Sequence, residues 1–196
     1  LDPDTALEFL RQRRSIRNFR DELVPEEKIR QLLEAARFAP TAANSQGMYY
    51  LVIQDRDLIK KITDCVADWM QEQIDNKSPQ KRYFIKVLHV YRERGIDIIG
   101  RNARQLIFVL ARRLNVTGPS NSEQSLAYAE LYAPTLGLGT TIMGFIETCL
   151  RADYTPLREL LQIPTKQVGV GCLLVGYPRY RYHKLVDRQH LKVEFR

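Results

Sequence analysis

Two uninterrupted apolar runs constrain the fold of this chain more than any other feature of its sequence. They are Leu106–Leu110 and Val168–Gly176, each of strand length and far shorter than the roughly 20 apolar residues that a membrane-spanning helix needs. A run without polar alternation is typical of a buried strand. We therefore predict that both segments are strands inside a folded core.

Amphipathic helical patterns occupy most of the remaining chain. A polar residue followed by proline, as in Asp2-Pro3, marks a helix start, and apolar residues at helical spacing mark the buried face. Several helices and few strands, without regular alternation, indicate the α+β class. We predict helices over about 3–13, 25–39, 55–70, 82–100, 126–136 and 156–161, a strand over Tyr49–Gln54, a polar loop or frayed helix end over 71–81 and a polar loop over 112–122.

The last residues follow a different pattern. Leu191–Phe195 alternates apolar and charged side chains, which predicts a half-exposed strand after a polar arm. Such a strand needs a sheet to join, and in a homodimer that sheet can belong to the partner. We expect one domain over residues 1–196, with an arm over about 182–196.

Composition narrows the class of protein. The 196 residues are 44% hydrophobic, enough for the core of one domain. The three cysteines are far apart among apolar neighbours, which favours reduced thiols in a cytoplasmic protein over disulfides. No CxxC pair and no histidine spacing indicates a metal site, and no signal segment opens the residues given.

The net charge of +7 is compatible with nucleic acid, a membrane surface or an anionic small ligand as partner. Basic residues cluster over 11–20 and over 179–188. A solvated surface is the simplest explanation of each cluster, but two clusters can also converge on one phosphate. Motifs for a Rossmann loop, a P-loop, a zinc protease and a serine hydrolase are missing, so hydrolase and kinase functions lack support.

Three short segments are candidates for a binding site. Arg13–Arg17 places guanidinium groups around a small hydroxyl, which can bind an anion, although a basic helix C-terminus has the same composition. Ala39–Gln46 carries hydroxyl and amide groups between small residues, as a planar ligand or a polar turn would require. Leu136–Phe145 contains three glycines and two threonines, which indicate close approach of the backbone to a ligand or tight helix–sheet packing.

The order of these segments, with a fourth at Gly176–Lys184, resembles the nitroreductase family. Its members have an RRSxRxF-like start, an AP[ST]xxNxQ loop, a late LGLGT–xGF segment and a basic pair after the last core strand. The resemblance runs from about Ala6 to the C-terminus. The GYPRYRYHK stretch is similar to a subgroup often fused to a ferredoxin-like domain, which this sequence does not contain.

The resemblance implies a nitroreductase-like mixed sheet flanked by helices. It also implies a homodimer in which the C-terminal arm wraps the partner and two FMN molecules lie at the interface. The expected activity is ping-pong hydride transfer from a reduced nicotinamide, NADH or NADPH, to an electron-poor acceptor such as a nitroaromatic or a quinone. The flavin does this chemistry and no catalytic side chain is required.

The resemblance also assigns roles to residues of the candidate segments. Arg13 lies towards the FMN phosphate and Arg17 near the N1/O2 edge, while the loop at Pro40 reaches FMN from the other subunit. The backbone amides of Met143 and Gly144 face the N5/O4 edge. The expected cofactor-binding residues are Arg13, Arg14, Ser15, Arg17, Pro40, Thr41, Ala42, Asn44, Ile142, Met143, Gly144 and the phosphate clamp of Arg179 and Arg181.

The sequence departs from the family just before Leu106. Many members have a cationic or amide flavin contact there, and in this chain Arg101 or Asn102 could take its place. Two other functions remain open: a flavin-binding sensor or storage protein without turnover, and a basic nucleic-acid-binding domain. The latter predicts an affinity that falls steeply with salt.

Overall fold

The computed structural model describes residues 2–196. A 3-10 turn at Ala42–Asn44, a π-helical turn at His89–Glu93 and a 3-10 turn at Ala133–Leu136 connect longer elements. In chain order these are α1 Pro3–Gln12, α2 Glu26–Arg37, β1 Tyr49–Ile53, α3 Arg56–Asp75, α4 Lys81–Leu88, β2 Gln105–Arg112, α5 Gly118–Tyr132, β3 Gly139–Ile142, α6 Gly144–Arg151, α7 Thr155–Leu160 and β4 Gln167–Gly176.

The four strands form one sheet in the order β1-β2-β4-β3. Every neighbouring pair is antiparallel, and the register of β2 on β4 shifts between Val109 and Leu110. Within residues 2–196, the one parallel pairing is an isolated bridge between Ser15 and Thr140, beside β3. The α+β class is confirmed, and the sheet expected to be mixed has antiparallel strands in this chain.

The central strand β2 has no polar residue between Leu106 and Leu110 because both of its faces are buried. Leu106, Phe108 and Leu110 point into a core formed with α3, α4, α6 and α7. The alternate residues Ile107 and Val109 point into a second core, formed with α2 and α5. Helices therefore cover both faces of the sheet. Each large apolar side chain buried in this way contributes about 1.5–3 kcal/mol to the free energy of unfolding.

Two predicted loops are partly helical. Helix α3 continues to Asp75, inside the predicted loop 71–81, because Ile74 extends the buried face that includes Met70. Helix α5 begins at Gly118, inside the predicted loop 112–122. The loop prediction was wrong for the first part of 71–81 and the second part of 112–122, because polar residues were taken to be exposed. Within residues 2–196, no helix is long and apolar enough to cross a membrane.

The start of α5 is buried despite its polar sequence. Asn121, Ser122 and Ser125 are each at most 1% exposed. Small side chains are needed here because α5 lies directly on β4. A Cβ added to Gly171 of β4 would lie 2.3 Å from the Ser122 hydroxyl.

The predicted helix over 82–100 ends early. Helix α4 stops at Leu88, and after the π-helical turn the chain forms a tight loop around Asp97. The Asp97 carboxylate accepts hydrogen bonds from the amides of Ile99, Gly100 and Asn102. These contacts replace helical hydrogen bonds, so the helix cannot continue.

The strand predicted over Leu191–Phe195 does not form within the single chain. Leu191 is 87% exposed and Phe195 92% exposed, and no strand follows β4 among the described residues. An isolated extended segment has no partner for its backbone groups. The prediction therefore fails for one chain, and the exchange of arms in a homodimer stays a prediction.

Candidate functional site

The two basic clusters meet at one end of the sheet. The Arg20 amide donates a hydrogen bond to the Tyr177 carbonyl at 2.8 Å, and the Arg179 amide donates to the Asn18 carbonyl at 2.9 Å. The segment after α1 and the segment after β4 thus run side by side. Arginines from opposite ends of the sequence become neighbours.

Glycines let the first segment lie against the sheet. A Cβ on Gly139 would lie 2.6 Å from Cγ1 of Ile16, and one on Gly176 would lie 2.9 Å from the Phe19 ring. Gly139 therefore serves tight packing, one of the two alternatives for its segment. Gly144 differs, because a Cβ there would have nothing within 4 Å.

Arg13 lies against a buried acid. One of its guanidinium nitrogens is 3.6 Å from a carboxylate oxygen of Glu130 and 3.4 Å from the Ser15 hydroxyl. Burial raises the pKa of Glu130, and the charge of Arg13 together with a hydrogen bond from Thr140 offsets part of that shift. A guanidinium has five N–H donors, so Arg13 retains donors for an anion.

A first basic cavity, the Arg181 cavity, lies beside this pair. It measures about 690 Å³, and Arg14, Arg20, Glu130 and Arg181 are among its lining residues. The Arg14 guanidinium lies 4.7 Å from the Tyr182 ring centroid, and its buried Nε has no partner within residues 2–196. Glu130 therefore pairs with Arg13 and lines the same cavity as Arg181, while Arg13 itself is not among the residues that line this cavity.

A second basic cavity, the Arg101 cavity, lies on the other side of the paired segments. It measures about 620 Å³ and shares Arg20 with the first. Arg179 lines this second cavity and not the first, so the structure does not bring the expected clamp pair into one cavity. The lining residues are Asn18, Phe19, Arg20, Asp21, Arg56, Arg101, Asn102 and Arg179.

Arg101 lies within range of electrostatic repulsion by Arg17. Its backbone has a φ of 56°, fixed by the loop around Asp97. Burial lowers the pKa of Arg101, and the positive charge of Arg17 lowers it further, while Asp97 offsets part of the shift. The Arg101 Nε is buried without a partner among the described residues. Two cations that repel each other and make no ion pair among the described residues favour binding of an anionic group.

The end of β3 corrects one expectation. The Met143 amide donates to the Cys172 carbonyl of β4 at 3.2 Å, so the sheet pairing continues one residue past the strand and uses this amide. Met143 therefore does not offer its amide to a ligand. Gly144 follows as the first residue of α6, whose N-terminus has no capping side chain, and Ile142 is 39% exposed.

An aromatic pair that the sequence did not predict lies beside Gly144. The rings of Tyr83 and Phe145 are 5.6 Å apart, and Tyr83 is 58% exposed. Tyr83 also interacts electrostatically with Arg101. Phe145 ends the LGLGT–xGF segment, but Tyr83 is remote in sequence and belongs to no motif, so only the fold brings the two rings together.

The loop Pro40–Gln46 is organised by Asn121 of α5, which the sequence analysis also missed. The Asn121 side chain accepts a hydrogen bond from the Ala42 amide at 3.0 Å. The Thr41 hydroxyl accepts one from the Gln46 amide, also at 3.0 Å. The residues Ala43, Asn44 and Gln46 all have positive φ.

Within one chain this loop lies away from Arg13. Asn121 and Glu130 are on the same helix, separated by about 14 Å at 1.5 Å per residue. No hydrogen bond or ion pair between residues 2 and 196 joins the loop to Arg13–Arg17. The expected contacts therefore form two groups at opposite ends of α5.

A comparison with models of known protein families assigns the chain to one of them. Residues 10–177 match the model described as Nitroreductase family, which is most of the chain. The chain belongs to the nitroreductase family. The ferredoxin-fused subgroup has no such support and stays a resemblance.

Relatives and solved structures agree with this nitroreductase assignment. The chain is 27% identical to "FMN reductase [NAD(P)H]" of Bacillus subtilis, over 91% of this chain and 68% of that protein. It is 26% identical to "Iodotyrosine deiodinase 1" of Mus musculus, over 87% of this chain and only 61% of that protein. A Desulfitobacterium hafniense nitroreductase with bound FMN has the same fold, with a TM-score of 0.75, 18% identity and coverage of 99% and 100%.

The cysteines of this nitroreductase contribute no nucleophile to the site. Cys149 and Cys172 are fully buried, and burial raises the pKa of both thiols. Burial also raises the pKa of Cys65 to about 11. All three are free thiols that stay protonated near neutral pH.

Proposed function

We propose that this nitroreductase is an FMN-dependent NAD(P)H oxidoreductase that works as a homodimer. The observation that carries the proposal is the pairing of the segments that carry the arginines of both chain ends, joined by the backbone hydrogen bonds of Arg20 and Arg179. Arg17 and Arg101 have no carboxylate within ion-pair distance between residues 2 and 196. The similarity to the B. subtilis FMN reductase [NAD(P)H] and to the FMN-bound D. hafniense nitroreductase supports FMN as the cofactor and a reduced nicotinamide as the donor.

The donor set fits FMN. Its phosphate carries close to two negative charges, and Arg13, Ser15 and Arg181 would hold it. Arg14 has an unused Nε nearby. Arg179 is left out of this clamp because it lines the other cavity.

The ring system would lie where the backbone is open. Arg17 and Arg101 would contact its N1/O2 edge, and the Gly144 amide its N5/O4 edge, with Ile142 beside it. Of Arg101 and Asn102, the two residues that the sequence left open, we place Arg101 here because its charge interacts with that of Arg17. No comparable interaction with Arg17 supports the Asn102 side chain as the contact.

The residues supply charge and shape to the reaction. When bound, FMN takes two electrons from a reduced nicotinamide and passes them to an acceptor such as a quinone or nitroaromatic. Arg17 and Arg101 keep positive charge at the N1/O2 edge, where it stabilises negative charge. The rings of Tyr83 and Phe145 would contact the planar donor and, after it leaves, the planar acceptor. Use of one place by both substrates in succession is the basis of ping-pong turnover.

A second subunit would complete the site. The loop Pro40–Gln46 points away from Arg13 in its own chain, and its Thr41, Ala42 and Asn44 would contact the partner's FMN. The arm supports the same assembly. Its exposed Leu191 and Phe195 need burial, and β1 is an edge strand with one unpaired side. The outer side of β3 is already bridged by Ser15.

The visible spectrum of the purified protein tests the cofactor. We expect bands of oxidised flavin that NADH or NADPH bleaches and that a quinone restores. Flavin that is bound but never turned over would instead indicate a sensor or storage protein. Colourless protein that does not take up added FMN would refute the proposal.

An arginine exchange tests the phosphate clamp. Arg181→Ala should weaken FMN binding by about 10- to 100-fold, because one charge-assisted hydrogen bond is worth about 1.5–3 kcal/mol. Arg30→Ala, on α2 and outside both basic cavities, is the matched control. FMN occupancy after dialysis and mass by sedimentation measure cofactor and dimer together. Equal occupancy in both variants would contradict the role of Arg181.

A further inference from the structure

The Arg101 cavity carries more positive charge than the proposed flavin contacts use. Four guanidinium groups and one carboxylate line it, those of Arg20, Arg56, Arg101, Arg179 and Asp21. Of these, only Arg101 has a proposed role at the flavin. The other arginines need a separate explanation.

The single acid of the cavity is already neutralised. Asp21 accepts hydrogen bonds from Arg104 and Arg56, and these bonds lower the pKa of its carboxyl group. It therefore stays ionised and paired with two arginines at neutral pH. Within the described residues, the side chains of Arg20, Arg101 and Arg179 make no ion pair.

These three arginines are positioned by the backbone. Arg20 and Arg179 lie on the two paired segments, joined by the hydrogen bonds to Tyr177 and Asn18. Arg101 is fixed by the loop around Asp97. Holding like charges together costs free energy, which a bound anion recovers.

We propose that Arg20, Arg101 and Arg179 form a binding site for a phosphate group of the reduced nicotinamide dinucleotide. The cavity of about 620 Å³ is concave and larger than one phosphate, so it also accommodates the attached ribose. A concave site of this size fits a small molecule better than an acidic protein surface. The inference rests on the proposed function, since it places the donor next to the flavin edge at Arg17.

Either of two phosphate groups of the donor could bind these arginines, and steady-state kinetics with different donors distinguishes them. The pyrophosphate occurs in NADH and NADPH, the 2′-phosphate in NADPH alone, and dihydronicotinamide riboside has neither. Arg20→Gln is the test variant because Arg20 has no proposed contact with FMN. Arg30→Gln is the matched control, since Arg30 lies on α2 and pairs with Glu26.

We expect Arg20→Gln to lower kcat/KM for a phosphate-bearing donor by about 10- to 100-fold relative to dihydronicotinamide riboside. A loss for NADPH alone assigns the 2′-phosphate, and an equal loss for NADH and NADPH assigns the pyrophosphate. Equal changes for all three donors would overturn the inference. It would also be overturned if only turnover with reduced ferredoxin, an acidic protein donor, were impaired.

Calorimetry keeps this test independent of turnover. Adenosine 2′,5′-bisphosphate and ADP are titrated into the flavin-loaded dimer, with FMN content measured for each variant. Weaker binding of either nucleotide to Arg20→Gln supports the site, even if the wild-type protein showed no oxidoreductase activity and the proposed function failed. Unchanged nucleotide binding, or loss of FMN from Arg20→Gln, would refute the site.

Discussion

Replacing Gly144 by alanine separates a role in ligand binding from a role in folding. Gly144 is the first residue of α6, and a Cβ there would have nothing within 4 Å. Its φ is not positive, so alanine fits the backbone without strain. The added methyl group would, however, occupy the space into which the flavin edge is proposed to fit.

The two effects have opposite signs. Glycine to alanine at a compatible position changes the free energy of unfolding by about 0.4–1 kcal/mol in the stabilising direction. A methyl group forced into a close-packed contact costs about 1–3 kcal/mol. We therefore expect Gly144→Ala to be about 0.4–1 kcal/mol more stable than wild type without FMN, and to bind FMN about 5- to 150-fold more weakly.

Urea unfolding of the flavin-free protein and fluorescence titration with FMN measure the two quantities. Gly139→Ala is the contrasting variant, because its Cβ would lie 2.6 Å from Ile16. It should lose about 1–3 kcal/mol of stability before any ligand is added. If Gly144→Ala bound FMN as tightly as wild type, the backbone at α6 would not face the flavin. If it lost stability as Gly139→Ala does, the site would be ordinary packing.

Three further predictions concern residues that the fold brings to the site. Asn121→Ala should lower the free energy of unfolding in urea by about 1–3 kcal/mol, because the Ala42 amide loses its buried acceptor. Amide hydrogen exchange in the loop Pro40–Gln46 should become faster, and unaltered exchange would contradict this. The folded pKa of Glu130 is raised above 4.5, so wild-type stability from this group is present at low pH and lost as pH rises through the folded pKa. Glu130→Gln should therefore gain stability relative to wild type as the pH rises above 4.5 in parallel urea titrations, and a constant difference would disprove it. Tyr83→Leu should raise KM for an aromatic acceptor by about 2- to 10-fold at unchanged FMN content, whereas Tyr128→Leu, also exposed, should not.

Local patterns were sufficient for most of the elements. Strands β1, β2 and β4 were predicted because apolar runs are local features, and helices α1, α2 and α7 because caps and spacing are local too. Strand β3 and helix α6 were missed, since their segment is rich in glycine and threonine and carries no clear periodicity. The polar start of α5 was read as a loop because burial of small polar side chains depends on what packs against them.

The candidate site followed the same division. The order of the four segments identified the arginine clusters and the loop Pro40–Gln46, because residue types and spacing are written in the sequence. The use of the Met143 amide by Cys172 depends on strand register, which the whole sheet sets. Likewise, Arg179 and Arg181 line different cavities although they are near neighbours in the chain.

The sequence by itself determined which chemical groups this nitroreductase offers and the family that they belong to. Tertiary structure alone decided which of those groups remain free for a ligand, since a donor or a charge is available only when no neighbour in the fold has used it. Arg101 is such a group, because its buried Nε has no partner among the described residues, whereas the sequence left it as an alternative to Asn102.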